Sequence, residues 1–219
     1  IVKRCGYLMR ASDYTDKKLE QTIREVEKKF GYFYNQEQLE AIRLSCIKNL
    51  LIVTGGPGTG KTTIINTICE MYKQLNKLSH QDLMSKIALL APTGRASKRI
   101  SESTNLPAST IHRFLKWNKE NNKFGVNEYH KSSVDFVIID EFSMVDTYLF
   151  DSLLKGLRYD TKIVIVGDYN QLPSVGPGQL LKDMIESNVL NVVKLKQLYR
   201  QKENSNIISL AYQINEDSL

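Results

Sequence analysis

The stretch Gly55–Thr63, GGPGTGKTT, constrains this chain more than any other. Gly55, Gly60, Lys61 and Thr62 fill the pattern G-x-x-x-x-G-K-[ST], with Gly56, Pro57, Gly58 and Thr59 between them and Thr63 after. The spacing needs glycines because backbone N–H groups must turn inward on phosphate oxygens without a side chain in the way. An apolar run, LLIVT from Leu50, precedes the loop, and a stripe of Ile64, Ile65, Ile68, Met71, Tyr72 and Leu75 follows it. Strand, loop and helix therefore occur in the order a phosphate cradle requires, and the helix directs its positive end at the same phosphates. Lys61 is expected to reach the β and γ phosphates of ATP, and the Thr62 hydroxyl to hold Mg²⁺.

Four more short apolar runs recur along the chain: KIALLA from Lys86, FVIID from Phe136, KIVIVGD from Lys162 and NVVKL from Asn191. They are continuous rather than alternating, as strands buried on both faces of a parallel sheet must be. Helical patterns separate them. Asp16 opens one with Leu19, Ile23, Val26 and Phe30 on a face and Gly31 at its end; another follows Asn35; Asp146 opens a third. Strand and helix in alternation predict an α/β fold with a doubly wound, mostly parallel sheet and helices on both faces, where ligands sit beyond the carboxyl ends of the strands. Between about residues 116 and 133 the chain turns polar, with Asn-Asn and Phe-Gly turn material, and a small hairpin insert is expected there.

Chemistry is then sought at strand ends. Asp140 and Glu141 close FVIID, where Asp140 can hold Mg²⁺ through water and Glu141 can polarise an attacking water. An acid pair capping a helix is the plainer alternative. Gly167, Asp168 and Gln171 close the next strand, and a Gln amide can both accept from water and donate to a phosphate oxygen. Arg200, in LYRQ after the fifth run, has the fork that pairs with phosphate, although alone it reads as a surface residue.

Composition sets the limits. The 219 residues are 42% hydrophobic and 25% charged, enough for one good core. No apolar run approaches a membrane span and no leader pattern opens the chain, so no membrane partner and a cytoplasmic setting are expected. Cys5, Cys46 and Cys69 lack metal-ligand spacing and read as reduced, buried thiols. The net charge of +6 permits a polyanion. Between Arg95 and Lys131 the bases Arg95, Lys98, Arg99, Arg113, Lys116, Lys119, Lys123 and Lys131 are opposed by Glu102, Glu120 and Glu128 alone, which fits either a nucleic-acid face or a solvated surface. The first residue is Ile1, and NIISLAYQINEDSL still reads as helix where the sequence stops, so a longer parent protein is expected.

Taken in order, YNQEQLEAI, VTGGPGTGKTT, LLAPTGRASKRI, STIHRFL, VIIDEFSMVD, VGDYNQLPSVGPG and LKQLYRQ resemble superfamily 1 DNA helicases of the RecD/TraA type, the group of the exodeoxyribonuclease V alpha subunit. The resemblance runs from Tyr34 to Glu216. It implies a RecA-like P-loop ATPase domain over residues 34–219, a helical connector over 1–33, and a second RecA-like domain of the parent beyond this chain. By the same resemblance Gln38 reads the adenine edge, Asp140 and Glu141 form the hydrolytic pair, and Gln171 and Arg200 sense the γ phosphate. Pro92, Thr93, Gly94 and Arg95 match one segment that contacts single-stranded DNA, and Thr110 and His112 match the next; His112 can alternatively be a buried packing residue. Phe142 departs from the small residue more usual after the acid pair, which puts the packing beside the Mg²⁺ site in question.

The resemblance thus implies the first motor domain of an ATP-dependent helicase that translocates on single-stranded DNA, 5′ to 3′ in the parent, and that hydrolyses ATP weakly and does not unwind DNA on its own. A nucleotide-dependent binding or scaffold module without translocation stays open, distinguished by whether motor motifs follow Leu219 in the parent. A small-molecule kinase fits less well, because APTGRASKR stands where an acceptor-binding lid is needed.

Overall fold

The structure, a computed structural model, describes residues 1, 5, 14–171 and 179–197. Six strands form one sheet in the order β3-β2-β6-β7-β1-β8: β1 (Leu50–Gly55), β2 (Ile87–Ala91), β3 (Ala108–Thr110), β6 (Phe136–Ile139), β7 (Lys162–Gly167) and β8 (Val192–Leu195). Every pairing in it is parallel. The chain places β1 next to β7 and β8 instead of next to β2, so the phosphate loop emerges where the winding reverses, the place an open α/β sheet leaves for a ligand.

Burial on both faces explains the continuous apolar runs of β1, β2, β6 and β7; β8, at the edge of the sheet, alternates instead, with Val193 and Leu195 buried and Lys194 exposed. Leu50 and Ile52 of β1, with Val137, Ile139, Ile163 and Ile165, face one core layer; Leu51 and Val53, with Ile138, Val164 and Val166, face the other. The first layer is closed by α6 (Ile111–Phe114), α7 (Thr147–Gly156) and α8 (Leu180–Glu186). The second is closed by α2 (Gln36–Ile47), α3 (Lys61–Leu75), α4 (His80–Lys86) and α5 (Gly94–Thr104). Outside it, α1 (Asp16–Phe30) packs Leu19, Ile23 and Val26 against Ile42, Met71 and Leu75. Thr15 rather than Asp16 is the N-cap of α1, and Asp16 lies inside the first turn, where a carboxylate complements the helix dipole equally well. Gly31 ends the helix in the left-handed region at φ 74°.

The turn-rich stretch pairs as a short antiparallel hairpin, β4 (Trp117–Asn118) with β5 (Lys123–Phe124). Gly156 lets it dock: a Cβ there would lie 2.9 Å from Val126 Cγ1. All three cysteines are buried. Among the described residues no helix is long and apolar enough to cross a membrane.

At the amino ends of the strands, away from the phosphate loop, Lys162 is buried and donates to Ser45 O at 2.9 Å and Cys46 O at 2.5 Å. It thereby supplies the cation that the last turn of α2 lacks. Burial pushes its ammonium down to about 8. The folded chain gives up this proton before the unfolded one, so from about pH 8 upward the unfolded state binds more protons and stability rises with pH. A gain of roughly 2 kcal/mol between about pH 7.5 and 9.5 is expected from this group. Urea unfolding at those two pH values should show the gain in the wild type and not in Lys162→Met; equal pH dependence would remove the assignment.

Candidate active site

Three adjacent strands deliver the site. β1 ends in Gly55 and runs into the loop; β7 ends at Gly167 and hands over to Asp168; β6 ends at Ile139 and hands over to Asp140. Gly58 and Gly60 take φ values of 82° and 88°, a region only glycine enters freely, and this bends the loop back onto α3. Gly55 is pressed against the neighbouring strand: a Cβ there would lie 2.7 Å from Leu195 O and 2.8 Å from Thr59 Oγ1. Thr59 is buried and donates its hydroxyl to Gly56 O at 2.9 Å, closing the loop from within.

Lys61, the first residue of α3, donates to Gly55 O at 2.5 Å and Gly56 O at 2.8 Å. Burial lowers the pKa of its ammonium, and the charges of Asp168, Asp140 and Glu141 work in the opposite direction. Lys61 therefore sits among three acids drawn from two other strand ends. Asp140 is buried, and that burial holds its carboxyl above the usual carboxylate range, although its Oδ1 accepts from Glu141 N at 2.8 Å. Glu141 is a non-glycine residue at φ 53°. Phe142 behind it is wholly buried and meets Phe150 edge-on at 5.0 Å, so the larger residue anchors the acid pair to the core instead of crowding it.

A buried carboxylate with a raised pKa, a threonine at the head of a helix and a desolvated ammonium are the groups that Mg²⁺ and phosphate would satisfy, and the chemistry of this donor set fits both. Thr62 and Thr63 follow Lys61 in the first turn of α3, both half-buried.

Gln38 lies at 3% exposure, its Nε2 donating to Thr59 O at 3.3 Å and its Oε1 accepting from Asn35 N at 3.3 Å. The Asn35–Gln38 capping box thus ties the start of α2 to the phosphate loop. Glu37 extends the tie, accepting from Lys196 N at 2.7 Å at the end of β8. Gln171 is exposed and accepts from the buried Ser143 hydroxyl at 3.3 Å, which places it beside the acid-pair turn. Arg200, and the LPSVGPG segment after Gln171, lie outside the described residues.

The two segments matched to DNA contact are neighbours. β2 and β3 pair with Ala91 opposite Thr110, so Pro92–Thr93 and Thr110–His112 leave adjacent strand ends. Each threonine caps the helix that follows: Thr93 Oγ1 accepts from Ala96 N and Thr110 Oγ1 from Arg113 N, both at 3.2 Å. Gly94, Arg95 and His112 are exposed. His112 is therefore not a core residue; its ring stands 6.2 Å from Trp117 and 6.0 Å from Phe124 on the hairpin.

Ser143 was not singled out from the sequence, because a serine in a turn carries no pattern. Arg99 was named there only as one of a run of bases, although it lies one helical turn beyond Arg95; its Nη2 reaches Glu141 Oε1 at 3.4 Å.

A family model described as an AAA domain matches residues 38–177. The chain belongs to this AAA domain family. Among its relatives is the ATP-dependent RecD2 DNA helicase of Deinococcus radiodurans, 33% identical over 85% of this chain and 24% of the relative. The RecBCD enzyme subunit RecD of Mycolicibacterium smegmatis is 31% identical over 86% of this chain and 37% of its own length. The chain thus spans 24% and 37% of the length of these two relatives. In three dimensions it resembles the Pif1 helicase from Candida albicans, with a TM-score of 0.60 at 23% identity over 83% of this chain and 44% of that one. Bacteroides Pif1 bound to ssDNA gives 0.55 at 19% identity, covering 85% and 47%. These structural likenesses bear out the doubly wound α/β fold that the strand pattern predicts and the RecA-like form of it that the resemblance implies.

Proposed function

We infer that this chain is the first motor domain of an ATP-dependent DNA helicase, binding Mg²⁺·ATP beyond β1, β6 and β7 and gripping single-stranded DNA beyond β2 and β3. One observation supports it above the rest: Lys61, Asp140, Glu141 and Asp168 come together at the carboxyl ends of the strands, and the two segments matched to DNA contact leave that same end of the sheet. Thr62 and Asp140 would hold Mg²⁺, which would neutralise charge on the phosphates. Lys61 binds those phosphates, Glu141 takes the proton of the attacking water, and Gln171 and Arg200 report the γ phosphate. Gln38 reads the adenine from its place against the loop.

Backbone-tracking proteins need phosphate contacts without base readout, which hydroxyls and arginines at helix starts supply. The relatives, a RecD2 DNA helicase and a RecBCD subunit RecD, agree with this reading. A second RecA-like domain of the parent completes the ATP site, and the resemblance implies 5′-to-3′ travel of the parent. The hydrolytic pair favours this over a module that only changes shape with nucleotide.

Anisotropy of a labelled oligothymidine, with and without a non-hydrolysable ATP analogue and Mg²⁺, tests the grip. Affinity should respond to nucleotide and fall with salt, the logarithmic slope being about −0.7 per phosphate neutralised. Arg95→Ala should make that slope shallower by about one contact. A salt-independent affinity would sink the DNA interface.

A further inference from the structure

We propose that the cavity at the amino ends of β6 and β7 is a binding site for a small aromatic monocarboxylate, with the anion on the Lys162 ammonium and the ring against Tyr72 and Phe136. The site lies at the opposite end of the sheet from the phosphate loop and shares no residue with it.

The cavity has a volume of about 260 Å³. One wall is apolar, built from Ile68, Tyr72 and Leu75 of α3 and from Phe136 at the start of β6. The Tyr72 and Phe136 rings stand edge to face at 5.1 Å, an arrangement that a third ring extends. Lys162, the first residue of β7, also lines the cavity and is only 9% exposed. Its ammonium donates to the Ser45 and Cys46 carbonyls, and its third N–H has no acceptor among the described residues. The Tyr72 hydroxyl and the Asn49 side-chain amide line the same space, likewise without a hydrogen-bond partner among the described residues. Three polar groups therefore converge on one cavity with bonding capacity to spare.

Charge selects the ligand. At the mouth, Asp135 pairs with Arg158 at 2.6 Å and with Lys86 at 3.5 Å, and Arg158 reaches Asp160 at 3.1 Å. Two cations there stand against two carboxylates. Lys162 has no such counter-charge, since the carbonyls that it meets are dipoles and not ions. A buried charge without an opposite charge is costly, so an anion seated on Lys162 offsets a cost that the fold already bears. One uncompensated positive charge favours a monoanion over a phosphate dianion.

Size narrows the choice further. Pockets for drug-sized ligands hold about 300–1,000 Å³, which this cavity does not reach, so a nucleotide is too large for it. At the packing density of a protein interior it takes roughly a dozen non-hydrogen atoms, a single ring with its carboxylate.

Ligand-observed NMR titration of the intact parent protein with sodium benzoate, beside its neutral isostere benzamide, tests the site. Benzoate should bind about ten-fold tighter than benzamide, the worth of a charge-assisted bond. Mg²⁺ with a non-hydrolysable ATP analogue should not displace it. Burial holds the Lys162 ammonium down at about 8, pushes the facing Cys46 thiol up to about 11 and the Tyr72 hydroxyl up to about 12, and raises Tyr14 as well. Loss of the Lys162 charge should therefore weaken benzoate about thirty-fold between about pH 7 and 9.5. Lys162→Met should remove the preference for benzoate over benzamide, and Tyr72→Phe, which keeps the ring, should weaken benzoate about two- to ten-fold. Equal binding of the two probes, an affinity flat in pH, displacement by the ATP analogue, or a Lys162→Met that binds benzoate as the wild type does overturns the proposal. Should Lys162→Met fail to fold, the wild-type pH profile and the benzamide comparison decide.

Discussion

Lys61→Ala is expected to abolish nucleotide binding while leaving the fold intact. The ammonium sits on two loop carbonyls at 2.5 and 2.8 Å, and burial already disfavours its charge. Asp168, Asp140 and Glu141 act on it together. With the cation gone, a triphosphate entering the loop meets the same three carboxylates with one compensating charge fewer. Charge-assisted hydrogen bonds are worth about 1.5–3 kcal/mol each, so two lost contacts to phosphate weaken binding by about 100-fold or more. The first position of α3 tolerates alanine, the best helix former, so stability should change little. Calorimetric titration with an ATP analogue and Mg²⁺, beside a thermal melt, measures both quantities. Unchanged affinity would remove Lys61 from the cradle.

Much of this site was legible because its chemistry depends on backbone shape. GGPGTGKTT requires a strand before it and a helix after it, and each flank announces itself by burial: β1 is buried at every position and α3 carries its apolar stripe. β2, β6 and β7 were readable for the same reason, since strands covered on both faces have no polar positions to interrupt the run. β3 was not, because three half-buried residues, Ala-Ser-Thr, make no pattern that distinguishes a sheet edge from a loop. α4 has a reciprocal Ser79–Asp82 capping box, but its seven residues hold one buried side chain, too little periodicity to read. The hairpin strands are two residues each, and only their turn material pointed to them.

Side-chain partnerships are a different kind of information. Asp140 and Glu141 are adjacent in sequence, yet one is buried and hydrogen-bonded to its neighbour's backbone and the other faces an arginine forty-two residues away. That division of labour comes from the left-handed turn at Glu141, which no residue type demands. His112 shows the same limit in reverse. A histidine directly after Ile111 could have belonged to the core, and it is the short helix after the Thr110 cap that turns it outward towards Trp117 and Phe124.

Glu141→Gln in the intact parent protein is expected to bind ATP and turn it over about 10²- to 10⁴-fold more slowly, the worth of a positioned general base. The substitution keeps the size of the side chain and its acceptor oxygen while removing its ability to take a proton from water. The backbone bond from residue 141 to Asp140 Oδ1 does not involve the side chain of residue 141, so the carboxylate proposed to hold Mg²⁺ should keep its place. Nucleotide affinity and turnover must therefore separate: equilibrium binding of ATP retained, single-turnover hydrolysis slowed. Joint loss of both would move Glu141 from proton acceptor to metal ligand, because removing a charge from a cation site weakens binding before chemistry begins. Normal turnover would leave Asp140 as the functional member of the pair and make Glu141 only the residue that shapes the turn.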